Sequence, residues 1–371
     1  MAKKILVTGG AGFIGSHLVD KLVIDGHSVR ILDNLEPQVH SGVPSYLNPD
    51  AEFIRGDIRN EDDLNRALKD VEIVFHYVAM VGVGQSMYQI HKYTEVNTCG
   101  TAKLLEILAG RTHRIEKLII ASSMSIYGEG AYECQGCGMV YPKLRSESQL
   151  EAAEWDLSCP KCGGATEPVP TDEDKPLHPT SVYAVSKRDQ EEMCLTVGMA
   201  YGIPTVALRF FNTYGSRQSL SNPYTGVCAI FLSRIKSNRP PLIFEDGRQA
   251  RDFVSVSDIV QASLLAMNNA EADYESFNVG TGKPITISEV ARTLIKLYGK
   301  NLEPELTGKY RAGDIRHCYA DISKIRSKLQ FKPKFNFEEG MKELIEWSES
   351  AQFDDKTQQA QDELKMRKLI K

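Results

Sequence analysis

The N-terminal part of the chain alternates short apolar runs with segments in which apolar residues recur every three or four positions. Lys4 to Thr8 (KILVT) is a β-type run that stops at glycines, and Ile14, Leu18 and Leu22 follow at helical spacing. Ser28 to Leu32 (SVRIL) is a second run, ending at Asp33. Strand, helix and strand in this order predict parallel pairing through a right-handed crossover. The pattern repeats. Ile73 to Tyr77 and Leu118 to Ile126 read as buried strands, with Thr101 to Leu108 as a helix between them. Thr205 to Phe210 is a further strand, after a helix that Gly202 and Pro204 stop. Together they predict a doubly wound, parallel α/β sheet through about residue 212.

Beyond that point the pattern loosens. Residues 213–247 are rich in Asn, Pro and Gly, Asp258 to Met267 reads as a helix, and residues 276–350 mix short strands with two helical stretches. The expected organisation is a sheet domain from 1–128, 175–212 and 248–275, with a smaller α/β domain from 213–247 and 276–350. Residues 351–371 form a polar, helix-prone tail. Residues 129–174 interrupt the sheet pattern as an insertion, closed by the Pro- and acid-rich stretch Pro168 to Pro179.

Composition bounds the reading. With 371 residues, 42% of them hydrophobic and 25% charged, the chain has material for a sizeable core and two domains. A net charge of −5 argues against coating nucleic acid by bulk electrostatics. No apolar stretch reaches the roughly 18–20 residues of a membrane span. Met1-Ala2-Lys3-Lys4 precedes an apolar run, but Gly9, Gly10, Gly12 and Gly15 break the apolar region a signal peptide requires. A cytoplasmic location, with no membrane or nucleic-acid partner, is the expectation.

Three constellations carry chemistry. The first is Gly9-Gly10-Ala11-Gly12-Phe13-Ile14-Gly15, placed between a strand and a helix. Glycines allow a sharp turn and close approach of a pyrophosphate, and the helix N-terminus offers unpaired N–H groups with a partial positive charge. Asp33 ends the next strand, where a carboxylate can accept from an adenosine ribose and repel a 2′-phosphate. The unit therefore predicts a dinucleotide site selective for NAD over NADP; in isolation it would read as a Gly-rich turn. Asp57 and Ile58 follow another short strand (FIRGDI), where an adenine could be held.

The second is Tyr183-x-x-x-Lys187. On a helix these side chains share a face, and the ammonium is expected to lower the tyrosine pKa and make it a usable base. Ser122 and Ser123 lie near the end of the Leu118–Ile126 run, the edge where open α/β sheets bind ligands. Such Tyr–Lys pairs also occur by chance on surface helices.

The third is Cys134-x-x-Cys137 and Cys159-x-x-Cys162 in the insertion, separated by 21 residues and each followed by Gly. Four thiolates suit a closed tetrahedral structural Zn²⁺, although the gap slightly exceeds the usual range of about 15–20 residues. A redox pair, a disulfide or an unmetallated loop are the alternatives. The insertion leaves the sheet beside the active site, so it could form part of the substrate pocket wall; whether it shapes the pocket or only stabilises is open. The other cysteines (Cys99, Cys194, Cys228, Cys318) are scattered singly, as inert core thiols are.

The glycine signature, Asp33, Asn97, Ser123, Tyr183 and Lys187 resemble the extended short-chain dehydrogenases, the NAD-dependent epimerase/dehydratase family. The likeness continues through Leu208–Gly215, Arg251–Asp258 and Tyr310–Arg316. It implies a Rossmann fold, a homodimer and a nucleotide-diphosphate sugar as substrate. Ser123, Tyr183 and Lys187 would be catalytic, and Asn212, Arg251, Arg311 and Asp314 would join Ser123 in binding substrate. Cofactor binding would fall to Gly9, Gly12, Phe13, Ile14, Gly15, Asp33, Asn34, Asp57, Ile58, Ala79, Asn97, Ser122, Tyr183 and Lys187. Arginines suit a diphosphate because their planar forks bind oxyanions bidentately. The family's 4,6-dehydratases carry Asp-Glu after the catalytic Ser/Thr; here the positions hold Met124 and Ser125. That favours 4-epimerisation, and strings such as DNLEPQVHSG, VGVGQSMY and GDIRHC are similar to 4-epimerases of dTDP-6-deoxyhexoses. A UDP-sugar 4-epimerase, a nucleotide-sugar reductase or dehydrogenase, and a non-catalytic NAD-binding scaffold remain as alternatives.

Overall fold

The computed structural model describes residues 2–110, 115–351 and 353–371. Met1 and Gln352, which belong to the N-terminus and tail read above, lie outside them. Seven strands form one parallel sheet: β1 (Lys4–Thr8), β2 (Ser28–Asp33), β3 (Glu52–Arg55), β4 (Ile73–His76), β5 (Lys117–Ser123), β6 (Thr205–Phe210) and β7 (Glu275–Val279). Their spatial order is β7-β6-β5-β4-β1-β2-β3, which reverses direction between β1 and β4. Crevices at such a switch point bind ligands beyond the carboxyl ends of the strands.

Period-two alternation feeds two apolar layers. Ile5, Val7, Ile119, Val206 and Leu208 pack on one face with Leu18 and Leu22 of helix α1 (Phe13–Ile24). Leu6, Leu118, Ile120 and Ala207 pack on the other with Leu104 and Leu108 of α2 (Gly100–Gly110) and Cys194 of α3 (Val182–Tyr201). Helix α4 (Val256–Asn268) joins the first layer through Ile259 and Ala262.

Several expected boundaries move. The run Leu118–Ile126 is a strand only to Ser123; residues Met124–Tyr127 form a 3₁₀ turn whose start Ser123 caps by accepting the Ser125 N–H at 3.2 Å. The sheet does not end at 275. Phe277 and Val279 are buried and β7 pairs in parallel with β6, so residues 276–279 belong to the sheet. Conversely, Ala250–Ser255 pairs with Asn212–Tyr214, Pro284–Thr286 and His317–Cys318 in a separate small sheet. Within 248–275 the main sheet takes the helix, Val254 from the small sheet and Glu275, the first residue of β7. Between 276 and 350 there are three helices, Ile287–Tyr298, Ser323–Leu329 and Phe337–Ser350.

The second half has its own core, with Phe231, Leu232, Ile243, Phe253, Leu294, Met341 and Leu344 buried together. The insertion carries a three-stranded antiparallel sheet (Ala131–Cys134, Gly138–Val140, Glu167–Val169). Its buried apolar set is small: Tyr132, Cys134, Val140, Leu157 and Cys159. The tail forms helix α5 (Thr357–Met366), and residues beyond it pair back onto the chain, with Ala312 N–H donating to Leu369 O at 2.9 Å. No helix of the described residues is long and apolar enough to cross a membrane.

Candidate active site

One cleft of about 620 Å³ runs from the switch point into the second half. Its floor begins at the turn after β1. Gly9 has φ +72°, a left-handed conformation that glycine adopts without penalty, and a Cβ on Gly15 would sit 2.2 Å from Gly9 O. Helix α1 begins at Phe13 after Gly12, with no side-chain cap, and Phe13, Ile14 and Gly15 of its first turn line the cleft. An uncapped helix N-terminus held against a glycine turn fits a pyrophosphate.

Asp33 ends β2 and also lines the cleft. Its carboxylate accepts from Ala11 N at 3.1 Å and Leu35 N at 2.9 Å. Burial raises its pKa, and those N–H groups and nearby His40 draw it back. The position fits a ribose diol and disfavours a phosphate. Titration of both cofactors into apo-protein is expected to show NAD binding tighter than NADP; the reverse order would remove Asp33 as the selector.

At the far end of β5, strand geometry separates the paired serines, because successive side chains point to opposite faces. Ser123 sits close enough to the Tyr183 phenol to favour its ionised form, and it accepts the Ser125 hydroxyl at 2.9 Å. Ser122 instead turns toward α3 and donates to the buried Glu191 carboxylate. It lines the cleft, and its hydroxyl also joins β5 to α3.

Tyr183 and Lys187 lie one turn apart on α3, and Ser181 caps the helix by accepting Ala184 N–H at 3.1 Å. Lys187 is buried and donates to Ala121 O at 2.6 Å. Burial brings its pKa down to about 8. Burial also raises the Tyr183 phenol, and the nearby Ser123 hydroxyl draws it back. The Lys187 ammonium is held by the Ala121 carbonyl near the end of β5, one turn along α3 from the phenol.

Two further expected cofactor residues are tied down by bonds of their own. Asn97 sits in a π-helical turn (Thr94–Cys99), fully buried. It accepts Met80 N–H at 2.8 Å and donates to Met80 O and Ser186 Oγ, which pins the β4 loop to α3. Asp57 is tied to Arg59 and to Asn34, whose amide donates at 2.9 Å, and Arg59 holds its carboxyl down at about 2. Asn34, Ile58 and Ala79 do line the cleft.

In the second half, Asn212, Arg251, Arg311 and Asp314 all reach the cleft. The Asn212 side-chain oxygen is buried without a partner, an acceptor left for a ligand. Arg311 lies over the Phe244 ring at 4.7 Å and pairs with Asp314 at 2.8 Å. Arg251 donates to the carbonyls of Ala250, Ile315 and Arg316, so much of its fork orders the 311–316 loop. The sequence reading missed Arg234, which lines the cleft and donates to Pro240 O at 2.7 Å. It also missed the tail, whose Gln361, Leu364 and Ile370 line the cleft while Glu363 accepts from Tyr88 and Tyr224, both at 2.8 Å. The tail's polar composition carried no signal of that contact. By contrast, no residue of 129–174 lines the cleft. The insertion is not a pocket wall; it packs behind the loop that bears Arg311.

A glycine turn, an acidic strand end and a Ser–Tyr–Lys set in one crevice are the features of a single family. Residues 5–144 match the NAD dependent epimerase/dehydratase family, and residues 158–344 match GDP-mannose 4,6 dehydratase. A dTDP-L-rhamnose 4-epimerase of Burkholderia thailandensis is 35% identical, over 93% of this chain and 94% of the relative. The chain belongs to the NAD-dependent epimerase/dehydratase family. Solved structures agree across nearly the whole length. UDP-glucose 4-epimerase of Thermotoga maritima, with UDP-glucose, superposes with a TM-score of 0.77 at 32% identity, covering 93% of this chain and 98% of that one. UDP-glucose 4-epimerase of Thermus thermophilus, in complex with NAD, has a TM-score of 0.74 at 30% identity, covering 94% of this chain and 100% of that one.

Proposed function

We propose that this enzyme interconverts C4 epimers of a dTDP-6-deoxyhexose such as dTDP-L-rhamnose. It is an NAD-dependent nucleotide-sugar 4-epimerase. The observation that carries the reading is the composition of the cleft at β5. Ser123, Tyr183 and Lys187 converge there, and the next two residues lining it, Met124 and Ser125, offer no carboxylate for the proton transfers of dehydration. The Burkholderia relative supports the deoxyhexose; the Thermotoga structure, with UDP-glucose, keeps a UDP-sugar as the second reading.

Gly9, Gly12, Gly15 and Asp33 would hold NAD, which when bound supplies hydride acceptance from C4 and its return. The protein's own groups handle the proton. Ser123 holds the C4 oxygen against Tyr183, and Tyr183 takes the hydroxyl proton and later gives it back. Lys187, with a pKa of about 8, is largely charged at neutral pH and stabilises the phenolate as it forms. The sugar must present its other face between the two transfers.

A substrate deuterated at C4 should return its label to C4 of the product, with no external cofactor consumed. In D₂O, C3 and C5 should stay unlabelled, because no carbanion forms there. Solvent deuterium at C5 would show dehydratase or 3,5-epimerase chemistry, and stoichiometric NADH release a dehydrogenase; either overturns the reading.

The reading includes one structural zinc per chain at Cys134, Cys137, Cys159 and Cys162, whose ligand atoms lie within 4.8 Å of one another. Sγ of Cys134 and Cys162 are 3.6 Å apart, too far for a disulfide. That separation is close to the edge of about 3.8 Å expected for a tetrahedron with 2.3 Å zinc–sulfur bonds. Metal analysis of protein purified without chelator should find about one equivalent, and Cys159→Ser should loosen the insertion. Less than half an equivalent in well-folded protein counts against the site. A homodimer, implied by the family resemblance, and a cytoplasmic location complete the proposal; light scattering tests the stoichiometry.

A further inference from the structure

The insertion stands apart from the cleft, yet its polar side chains converge on the loop that supplies Arg311 and Asp314. Glu129 accepts the backbone N–H groups of Arg316 and His317, each at 2.7 Å. Arg145 grips Glu245 with two bonds of 2.8 Å and donates to Asp314 O at 3.2 Å. Arg316 is held between Asp156 of the insertion (2.9 Å) and Asp246 of the second half (2.6 Å). The Arg145, Glu245 and Arg316 side chains are 1–2% exposed. Thr171 adds a backbone bond to Tyr319 O at 2.8 Å.

Arg251 holds the same loop from the cleft side through the carbonyls of Ile315 and Arg316. The loop is thus clamped on two sides, and one jaw is the insertion. That jaw is fastened at the cysteines. Cys134 ends the strand that begins two residues after Glu129 and carries Tyr132, whose hydroxyl donates to Glu129 at 2.7 Å. Asp156 lies three residues before Cys159. The apolar set of the insertion includes two of the four cysteines and is too small to fix these positions alone.

We propose that the four-cysteine metal module is a brace for the substrate's diphosphate, with Glu129, Arg145 and Asp156 as positioning residues that set Arg311 and Asp314. This rests on the nucleotide-sugar and zinc readings above. Buried charges held bidentately permit little displacement, so loosening the module shifts the loop as a unit.

The test is calorimetric titration of dTDP and of UDP, alongside the content of bound NAD. The samples are the native enzyme, the chelator-stripped enzyme, Arg145→Met, Arg145→Lys and Asp156→Asn. Stripping and Arg145→Met should weaken nucleotide binding on the order of 10- to 100-fold, with NAD content unchanged. Arg145→Lys should recover part of the affinity, since it restores the charge without the fork. Asp156, 77% exposed, can be changed without threatening the fold, so Asp156→Asn should shift affinity the same way by less and decides the matter should Arg145→Met not fold. Unchanged nucleotide affinity in the stripped enzyme and Asp156→Asn overturns the brace, as does parallel loss of NAD and nucleotide. Native enzyme that binds nucleotide but contains no metal overturns its metal dependence. Native enzyme that binds neither nucleotide overturns the substrate reading, and the brace with it.

Discussion

Tyr183→Phe is expected to lower turnover by about 10²- to 10⁴-fold while leaving bound NAD nearly unchanged. The phenol is the one group in the cleft placed to exchange a proton with an oxygen held by Ser123. Its ring packs edge-on to Tyr93 at 6.5 Å, a contact that phenylalanine keeps. The glycine turn and Asp33, on β1 and β2, do not touch it. Single-turnover measurement of epimer formation, with NAD content quantified after denaturation, checks both halves. A variant retaining half the activity would mean that another group moves the proton. Loss of NAD in proportion to activity would mean that the ring has a structural role instead.

Glu191→Ala should destabilise the fold by about 3–5 kcal/mol, the usual cost of removing one partner from a buried ion pair. Glu191 is 3% exposed in its side chain and accepts Arg209 Nε at 3.0 Å as well as the Ser122 hydroxyl. Without it, Arg209 keeps Tyr127 OH at 2.8 Å and Glu173 O at 2.9 Å but retains an uncompensated buried charge. Denaturant melts of Glu191→Ala and Glu191→Gln provide the comparison. Glutamine preserves an acceptor but not the charge, so it should recover only part of the loss. A shift below about 1 kcal/mol, the scale of an exposed pair, would show that the site is solvated. Because the pair joins β6 and α3 beneath Ser123 and Tyr183, the variant should also lose activity at temperatures where it remains folded.

Much of this was legible in the chain, for a physical reason: the legible parts are written over short stretches. The short apolar runs of β1 and β2, the glycine turn, Asp33 at a strand end and Tyr183 with Lys187 one turn apart each follow from the pattern within one element. The two Cys-x-x-Cys pairs are equally local, and the structure brings them together. What tertiary structure decided lies between distant segments. Ser122 and Ser123 are neighbours in sequence, but only packing against α3 shows that one serves Glu191 and the other Tyr183. Asn97 and Asp57 are read from the sequence as cofactor residues, and only the fold shows the bonds that tie them to Met80 and Arg59. Residues 276–279 carry too short a run to announce a seventh strand, and it is β6 alongside that makes them one. Arg145 finds Glu245 across 100 residues, and the tail finds Tyr88 across 275. No periodicity records such partners, because a buried ion pair or a docked helix is selected by the shape and charge of a surface that exists only once the rest of the chain has folded.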